Sequence, residues 1–137
     1  MDFALTEEQE MLRASAREFL EAECPRSLVR EMERDDTGHS PRLWQKMADL
    51  GWLGLLLPEG YGGAGFSFQD MAVLLEEMGR ALLPGPYFST VVLCGQAILD
   101  AGTDEQKAHF LTKMAAGELV MALALLEPSS RYQARDI

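Results

Sequence analysis

The sequence is poor in basic residues relative to acidic ones. It carries 12 lysines and arginines against 22 aspartates and glutamates, for a net charge of −10 over 137 residues. Surfaces that bind nucleic acid need clustered Lys and Arg, so this balance argues against a nucleic-acid partner. No five like-charged residues occur in a row, which is typical of a solvated acidic exterior.

Long apolar runs and cysteines are also scarce. The most apolar long window, 81–101, is interrupted by two prolines, glycines and a glutamine, which argues against a membrane span. Residues 1–4 lack the basic and apolar regions of a signal peptide. Cys24 and Cys94 lie far apart and match no metal-ligand spacing. We therefore expect a cytoplasmic protein with reduced thiols and no metal site.

Signals that begin and end helices are abundant. Thr6 and Gln9 form a capping-box pattern, Thr103 and Gln106 repeat it, and apolar residues recur at helical spacing behind them. Ser40-Pro41 and Ser67 supply two further helix starts. The pattern predicts an all-α bundle of about six helices, over about 7–22, 26–34, 41–50, 68–82, 89–99 and 104–116.

The last two apolar segments differ in character. Segment 89–99 is apolar on nearly every face, which predicts a central helix buried on all sides. Segment 119–126 is a continuous apolar run that predicts a buried strand, and the sequence then turns polar without a pattern. We expect a helical domain over 1–118, the beginning of a β-domain over 119–137, and a chain that is part of a longer protein.

A glycine-rich junction follows the third predicted helix. Four glycines occur within residues 60–65, around Tyr61, where the backbone needs positive φ or a close approach. A phosphate-binding loop would follow a strand and carry a lysine, whereas this one follows an apolar helical segment and has none. The pattern therefore favours a tight structural connection.

Several motifs occur in a characteristic order along residues 3–128. They are Phe3-Ala4-Leu5-Thr6-Glu7-Glu8-Gln9 with Arg17 and Phe19, Leu43-Trp44, Leu50-Gly51-Trp52-Leu53-Gly54, Pro58-Glu59-Gly60-Tyr61-Gly62-Gly63-Ala64-Gly65, Glu76-Glu77-Met78-Gly79-Arg80, Ala101-Gly102-Thr103-Asp104-Glu105-Gln106-Lys107, Gly117-Glu118 and Ala124-Leu125-Leu126-Glu127-Pro128. None is decisive alone. In this order they resemble the N-terminal helical domain of the acyl-CoA dehydrogenase family.

The resemblance implies a flavoprotein oxidoreductase of fatty acid metabolism. Members use FAD to oxidise an acyl-CoA thioester to the 2,3-enoyl-CoA, and a glutamate of the C-terminal domain removes the α-proton. The full-length proteins are usually tetramers and pass electrons to a further electron-transfer partner. The resemblance thus implies FAD and acyl-CoA as ligands, no catalytic residue in this chain, and inactivity of the chain by itself.

The resemblance also assigns site residues. Leu123, Leu125 and Leu126 correspond to the strand that faces the flavin ring. In the family, a helix of this domain lines the acyl tail of the substrate. The resemblance places three residues there: Phe88, Ser89 and Leu93.

Two departures from the family pattern stand out. Leu126 replaces the Thr or Ser that usually hydrogen-bonds the flavin, and the usual Gly-Ser-Asp after Pro128 is absent, with Asp136 as a loose match. A dehydrogenase of a divergent subfamily, a non-catalytic partner subunit of a hetero-oligomer, a helical interaction module and an acyl-CoA oxidase all stay open.

The remaining polar candidates have simpler interpretations. Glu76-Glu77 predicts a solvated helix face or a partner for Arg80 at i+3 or i+4 rather than paired catalytic carboxylates. We expect a structural role for Glu127, a loop position for His39 and a solvent-facing position for His109.

Overall fold

The computed structural model describes residues 4–126 of the chain. This part contains six α-helices and no strand, which confirms the all-α class. A π-helical segment, Phe88–Gly95, runs directly into the fifth helix, and short 3-10 turns lie at Trp52–Gly54 and Glu59–Tyr61. The α-helices are α1 Glu7–Glu23, α2 Arg26–Met32, α3 Pro41–Asp49, α4 Phe68–Ala81, α5 Gln96–Ala101 and α6 Asp104–Ala115.

The predicted helix starts are confirmed by their caps. The Thr6 hydroxyl accepts from the Gln9 N–H at 3.2 Å, and the Gln9 side-chain oxygen accepts from the Thr6 N–H at 3.1 Å. The same reciprocal pair forms at Thr103 in α6, while Ser67 forms it with Asp70 in α4. Each cap satisfies backbone groups that the first turn of a helix leaves unpaired.

The expectation that segment 89–99 is buried on all sides is wrong. Thr90, Val91 and Val92 are buried, but Phe88 is 53% exposed and Leu93 is 40% exposed. In a π-helix the hydrogen bond joins residues five apart, so Phe88 and Leu93 lie on the same, outward face. The element therefore presents an apolar stripe at the surface of the described domain.

The buried strand expected over 119–126 is also absent. Residues 118–126 adopt neither helix nor strand, and most of their side chains are exposed. A strand needs a neighbour to hydrogen-bond with, and the described residues offer none. The rest of the predicted β-domain start, including Glu127 and Asp136, lies outside the described residues, so the domain boundary at 118 stays a prediction.

The core has two parts. The larger one joins α1, α3, α4, the first 3-10 turn and the π-helical segment; its most buried members are Ala16, Leu20, Met47, Leu53, Met71 and Leu74. The smaller one places Leu111 and Met114 of α6 against Leu57. Met121 packs at the edge of this smaller cluster, so the chain beyond α6 stays in contact with the bundle.

An ion-pair network joins α1 to α4. Glu77 is only 1% exposed, and Arg17 donates to both of its carboxylate oxygens, at 3.0 and 2.6 Å. Arg80 donates to Glu77 at 2.7 Å, as its i+3 spacing predicted, and to Glu21 at 3.1 Å. Of the two expected alternatives, the solvated face holds for Glu76 and the partner for Arg80 holds for Glu77, which is buried.

This network controls the titration of Glu77. The hydrogen bonds from Arg17 favour the charged carboxylate, with help from Arg80 and against the cost of burial, and lower the pKa of Glu77 to about 2. Because the folded-state pKa is depressed, the pair contributes its full stability above the unfolded-state value of 4.5. That stability is lost as the pH falls toward 2.

The glycine junction is a closed network of backbone hydrogen bonds. Every N–H from Tyr61 to Phe66 donates to a backbone carbonyl of residues 54–59. A Cβ on Gly63 would overlap the carbonyl of Leu57, and one on Gly54 would lie 2.9 Å from the Gly62 oxygen. No N–H of this stretch is left for a phosphate, and the predicted tight connection is confirmed.

Between Ala4 and Leu126, no helix is both long and apolar enough to cross a membrane. Cys24 and Cys94 are free thiols. Both are buried, and burial raises the pKa of each.

We expect Glu77→Gln to destabilise the fold at pH 7 by about 1–2 kcal/mol, since charged hydrogen bonds are lost from arginines that are themselves partly exposed. Urea unfolding at pH 7 and at lower pH measures the loss, which should shrink as the pH falls toward 2. Glu76→Gln, on the exposed neighbour, is the control and should change stability by less than about 0.5 kcal/mol. Equal effects of both variants would contradict a special role for Glu77.

We expect Gly63→Ala to cost about 1–3 kcal/mol, because the new methyl group forces the backbone at Leu57 to move. Gly60→Ala places its methyl group in open space and serves as the control. Thermal unfolding of the two variants measures the difference. A Gly63→Ala protein as stable as Gly60→Ala would show that the close approach at Leu57 is not needed.

Candidate functional site

The chain leaves α6 in a direction that α3 fixes. Trp44 donates its indole N–H to the Gly117 carbonyl at 3.1 Å. Gly117 itself adopts φ +79°, and a Cβ there would lie 2.9 Å from the Cβ of Ala48. Only glycine allows both this conformation and this close approach. The segment that follows, residues 118–126, therefore begins at a defined place on the bundle.

A second anchor lies four residues further on. The Thr90 hydroxyl donates to the Met121 carbonyl and accepts from the Met121 N–H, both at 3.0 Å. Thr90 is fully buried. Segment 118–126 thus passes directly against the π-helical segment after Pro86, although its outer side faces solvent.

An apolar groove opens between this segment and the helices beside it. Its volume is about 410 Å³. It is lined by Cys94, Ala97, Ile98, Phe110, Met121, Ala122 and Leu123. No acid, histidine or lysine is among these side chains, so the groove offers apolar contact and no side-chain proton acceptor.

The structure brings only some of the predicted site residues together. Leu123 lines the groove with Ala97 and Ile98, and Leu93 lies one turn before Ala97 on the exposed stripe. Leu125 and Leu126 follow at the surface, each 49% exposed.

The other two predicted residues lie elsewhere. Phe88 borders a different surface groove, with Leu75, Met78 and Leu82. Ser89 donates its hydroxyl to the Pro86 carbonyl at 3.1 Å. Neither Phe88 nor Ser89 lines the groove beside Leu123.

Sequence reasoning missed Thr90, Ala97 and Phe110. A hydroxyl inside an apolar helical run was the available signal for Thr90, because a buried hydroxyl needs a hydrogen-bond partner. The sequence could not show that this partner lies 31 residues away in the chain. Ala97 and Phe110 belong to two helices, and only the packing of α5 against α6 brings them to one groove.

The histidines and Tyr87 lie outside the groove beside Leu123. His109 is exposed, as expected, and His39 lies in the loop before α3, edge-on to Trp44. Tyr87 donates its hydroxyl to the Trp52 carbonyl at 2.8 Å, and its burial raises its pKa. Among residues 4–126 there is no group of three acidic, histidine or cysteine side chains that could hold a metal ion.

The backbone of segment 118–126 keeps hydrogen-bonding capacity beyond the anchor. Met121 is the last residue whose N–H finds a partner within the described part of the chain, so the N–H groups of residues 122–126 are unpaired there. These donors lie beside an apolar groove. A flat apolar group with hydrogen-bond acceptors along its edge would match this combination.

Comparison with known proteins decides the family. The family model for the acyl-CoA dehydrogenase N-terminal domain matches residues 6–118. The chain belongs to the acyl-CoA dehydrogenase family. The match ends at the residue where the sequence predicts the helical domain to end.

Individual relatives agree in sequence and in structure. Acryloyl-CoA reductase (NADH) from Anaerotignum propionicum is 33% identical over 131 residues, which cover 95% of this chain and 33% of the relative. An acyl-CoA dehydrogenase complexed with FAD from Bacillus anthracis superposes with a TM-score of 0.80 at 29% identity, covering 92% of this chain and 22% of that one.

A third relative is part of an assembly. The ChsE4–ChsE5 complex from Mycobacterium tuberculosis superposes with a TM-score of 0.81 at 28% identity, over 89% of this chain and 34% of that one. The present chain spans about one third of the length of the curated relatives that it matches.

Proposed function

We propose that this chain supplies one wall of the acyl and flavin pocket in an FAD-dependent enzyme that removes hydrogen across the α,β-bond of an acyl-CoA thioester. The observation that carries the proposal is segment 118–126, anchored beside an apolar groove with its outer backbone donors unpaired. Family membership supports the same reaction class.

The residues of this chain would bind and exclude water rather than move a proton. The groove at Ala97, Ile98 and Leu123 offers apolar contact to a ring or an aliphatic chain, and a dry site strengthens the electrostatic contacts made elsewhere in it. Bound FAD would supply the acceptor for the hydride that leaves the β-carbon. Leu125 and Leu126 would face the flavin, with Leu126 offering its backbone N–H.

The stretch from Phe88 to Leu93 would border the acyl tail. Phe88 and Leu93 form an outward apolar stripe, which suits a hydrocarbon substrate better than a charged one. No described residue takes the part of the base, so the α-proton would leave to a group outside residues 4–126.

The whole protein would bind acyl-CoA and work as an oligomer, a tetramer or a mixed assembly, that hands electrons to a separate partner. The relative in the ChsE4–ChsE5 complex supports the idea of a mixed assembly. We place the protein in the cytoplasm.

A specific observation favours a second candidate, a non-catalytic partner subunit. Leu126 stands where the resemblance expects a hydroxyl, so the side-chain hydrogen bond to the flavin, worth about 1 kcal/mol, is missing. In that case the exposed apolar stripe would pack against another subunit, and the other chain would carry the complete flavin site.

Titration with FAD separates the two candidates. The intact protein that carries this chain is purified, mixed with FAD and freed of unbound flavin, and its visible absorbance is recorded. A protein that retains yellow flavin and is bleached anaerobically by an acyl-CoA supports the enzyme. A colourless protein that forms a complex with a second family member supports the partner subunit instead.

We expect Leu126→Pro in the same protein to abolish FAD retention, since proline removes the backbone N–H. Leu126→Ala keeps that N–H and is the matched control. Leu126→Thr should tighten FAD binding about fivefold by restoring the hydroxyl. Equilibrium titration of flavin fluorescence measures all three, and unchanged affinity in the proline variant would refute this placement of Leu126.

A further inference from the structure

We propose that Thr90 is a positioning residue for the flavin site, because its hydroxyl fixes the register of segment 118–126 and thereby selects which backbone groups face the cofactor. The inference rests on the proposed function and adds to it a residue that does not touch the flavin itself.

The Thr90 hydroxyl both donates and accepts in its contact with Met121. A hydroxyl has one proton to donate and lone pairs to accept, and Thr90 does both with a single residue, Met121. Met121 in turn has its N–H and its carbonyl satisfied by one atom. Within the described residues no other hydrogen bond joins 119–126 to the bundle.

Close packing of the π-helical segment against α6 sets the position of Thr90 relative to α6. A Cβ on Gly95 would lie 2.9 Å from the end of the Met114 side chain, so the π-helical segment packs closely on α6 at this point. Thr90 lies about one π-helical turn before Gly95, and its N–H donates to the Pro86 carbonyl at 2.9 Å. Since Met121 follows α6 by a few residues, the two hydrogen bonds between Thr90 and Met121, called the clip below, close a short loop.

The clip determines which backbone groups point outward. In an extended chain the N–H and the carbonyl of one residue point to the same side, and those of the next residue point to the opposite side. Met121 points its N–H and carbonyl toward Thr90, so along an extended path Leu123 and Leu125 would direct their backbone groups to the same side. Ala122, Ala124 and Leu126 would then direct theirs away from the helix.

A slip of one residue would reverse this pattern. The Leu126 N–H would then turn toward the helix and the Leu125 side chain would change faces. Leu126 is five residues beyond the clip, about 16 Å along an extended chain, so a one-residue slip at Met121 would carry through to the position of Leu126.

The test compares Thr90→Val with Thr90→Ser in the intact protein. Valine keeps the volume and removes the hydroxyl, whereas serine keeps both hydrogen bonds. Thr112→Val is the matched control, since Thr112 is exposed on α6. Three quantities are measured: hydrogen exchange of the Met121 amide without FAD, the FAD dissociation constant, and the midpoint potential of the bound flavin.

We expect Thr90→Val to speed exchange at Met121 at least about tenfold, to weaken FAD roughly tenfold and to shift the flavin potential. Thr90→Ser and Thr112→Val should match the parent protein in all three. If Thr90→Val does not fold, Thr90→Cys, which keeps only a weak donor, provides the same comparison.

Two failures are distinguishable. A parent protein that binds no FAD contradicts the proposed function and, with it, the role of Thr90 toward the flavin. If the parent binds FAD and Thr90→Val shows the same affinity and potential, the inference alone is overturned. Faster hydrogen exchange of the Met121 amide in Thr90→Val, with the FAD dissociation constant and the flavin potential unchanged, would also overturn the inference. Thr90 would then be a structural contact only.

Discussion

Side chains of the bundle, rather than a neighbouring strand, hold the chain that follows α6, and the candidate site depends on this constraint. In the described structure, segment 118–126 follows α6 and pairs with no strand. Two anchors nevertheless define its path. Trp44 bonds the carbonyl of Gly117, and Thr90 bonds both backbone groups of Met121. Both anchors come from helices that the main core already immobilises, so the position of the groove follows from the packing of the bundle.

The bundle in turn depends on how α1 meets α4. A carboxylate as buried as Glu77 is costly unless its charge is compensated, and two arginines compensate it, Arg17 from α1 and Arg80 from α4. Both guanidinium groups remain partly in water, which lowers their desolvation cost. The pair therefore orients the two long helices without requiring a buried cation, while Met71 and Leu74 of α4 supply the apolar packing beneath it.

Local patterns predicted the helices well and the contacts between them poorly. The caps at Thr6, Ser40, Ser67 and Thr103 lie within three residues of their partners, so sequence spacing alone determines them. Hydrophobicity could not reveal that the segment after Pro86 forms a π-helix with one face outward, because exposure depends on what packs against it. The pairing of Thr90 with Met121 spans 31 residues, and no local rule reaches that far.

The exposure of Leu123, Leu125 and Leu126 now has a physical interpretation. An apolar run at the end of a helical domain would be unfavourable if it stayed in water, and the unpaired N–H groups beside it would find only solvent. Both features become favourable together when an apolar surface that carries hydrogen-bond acceptors covers the segment. Flavin meets that requirement on its ring edge, and a second subunit meets it only if it brings an exposed strand edge. The mixture of apolar side chains and free donors is therefore what the proposed function would require of a wall against flavin.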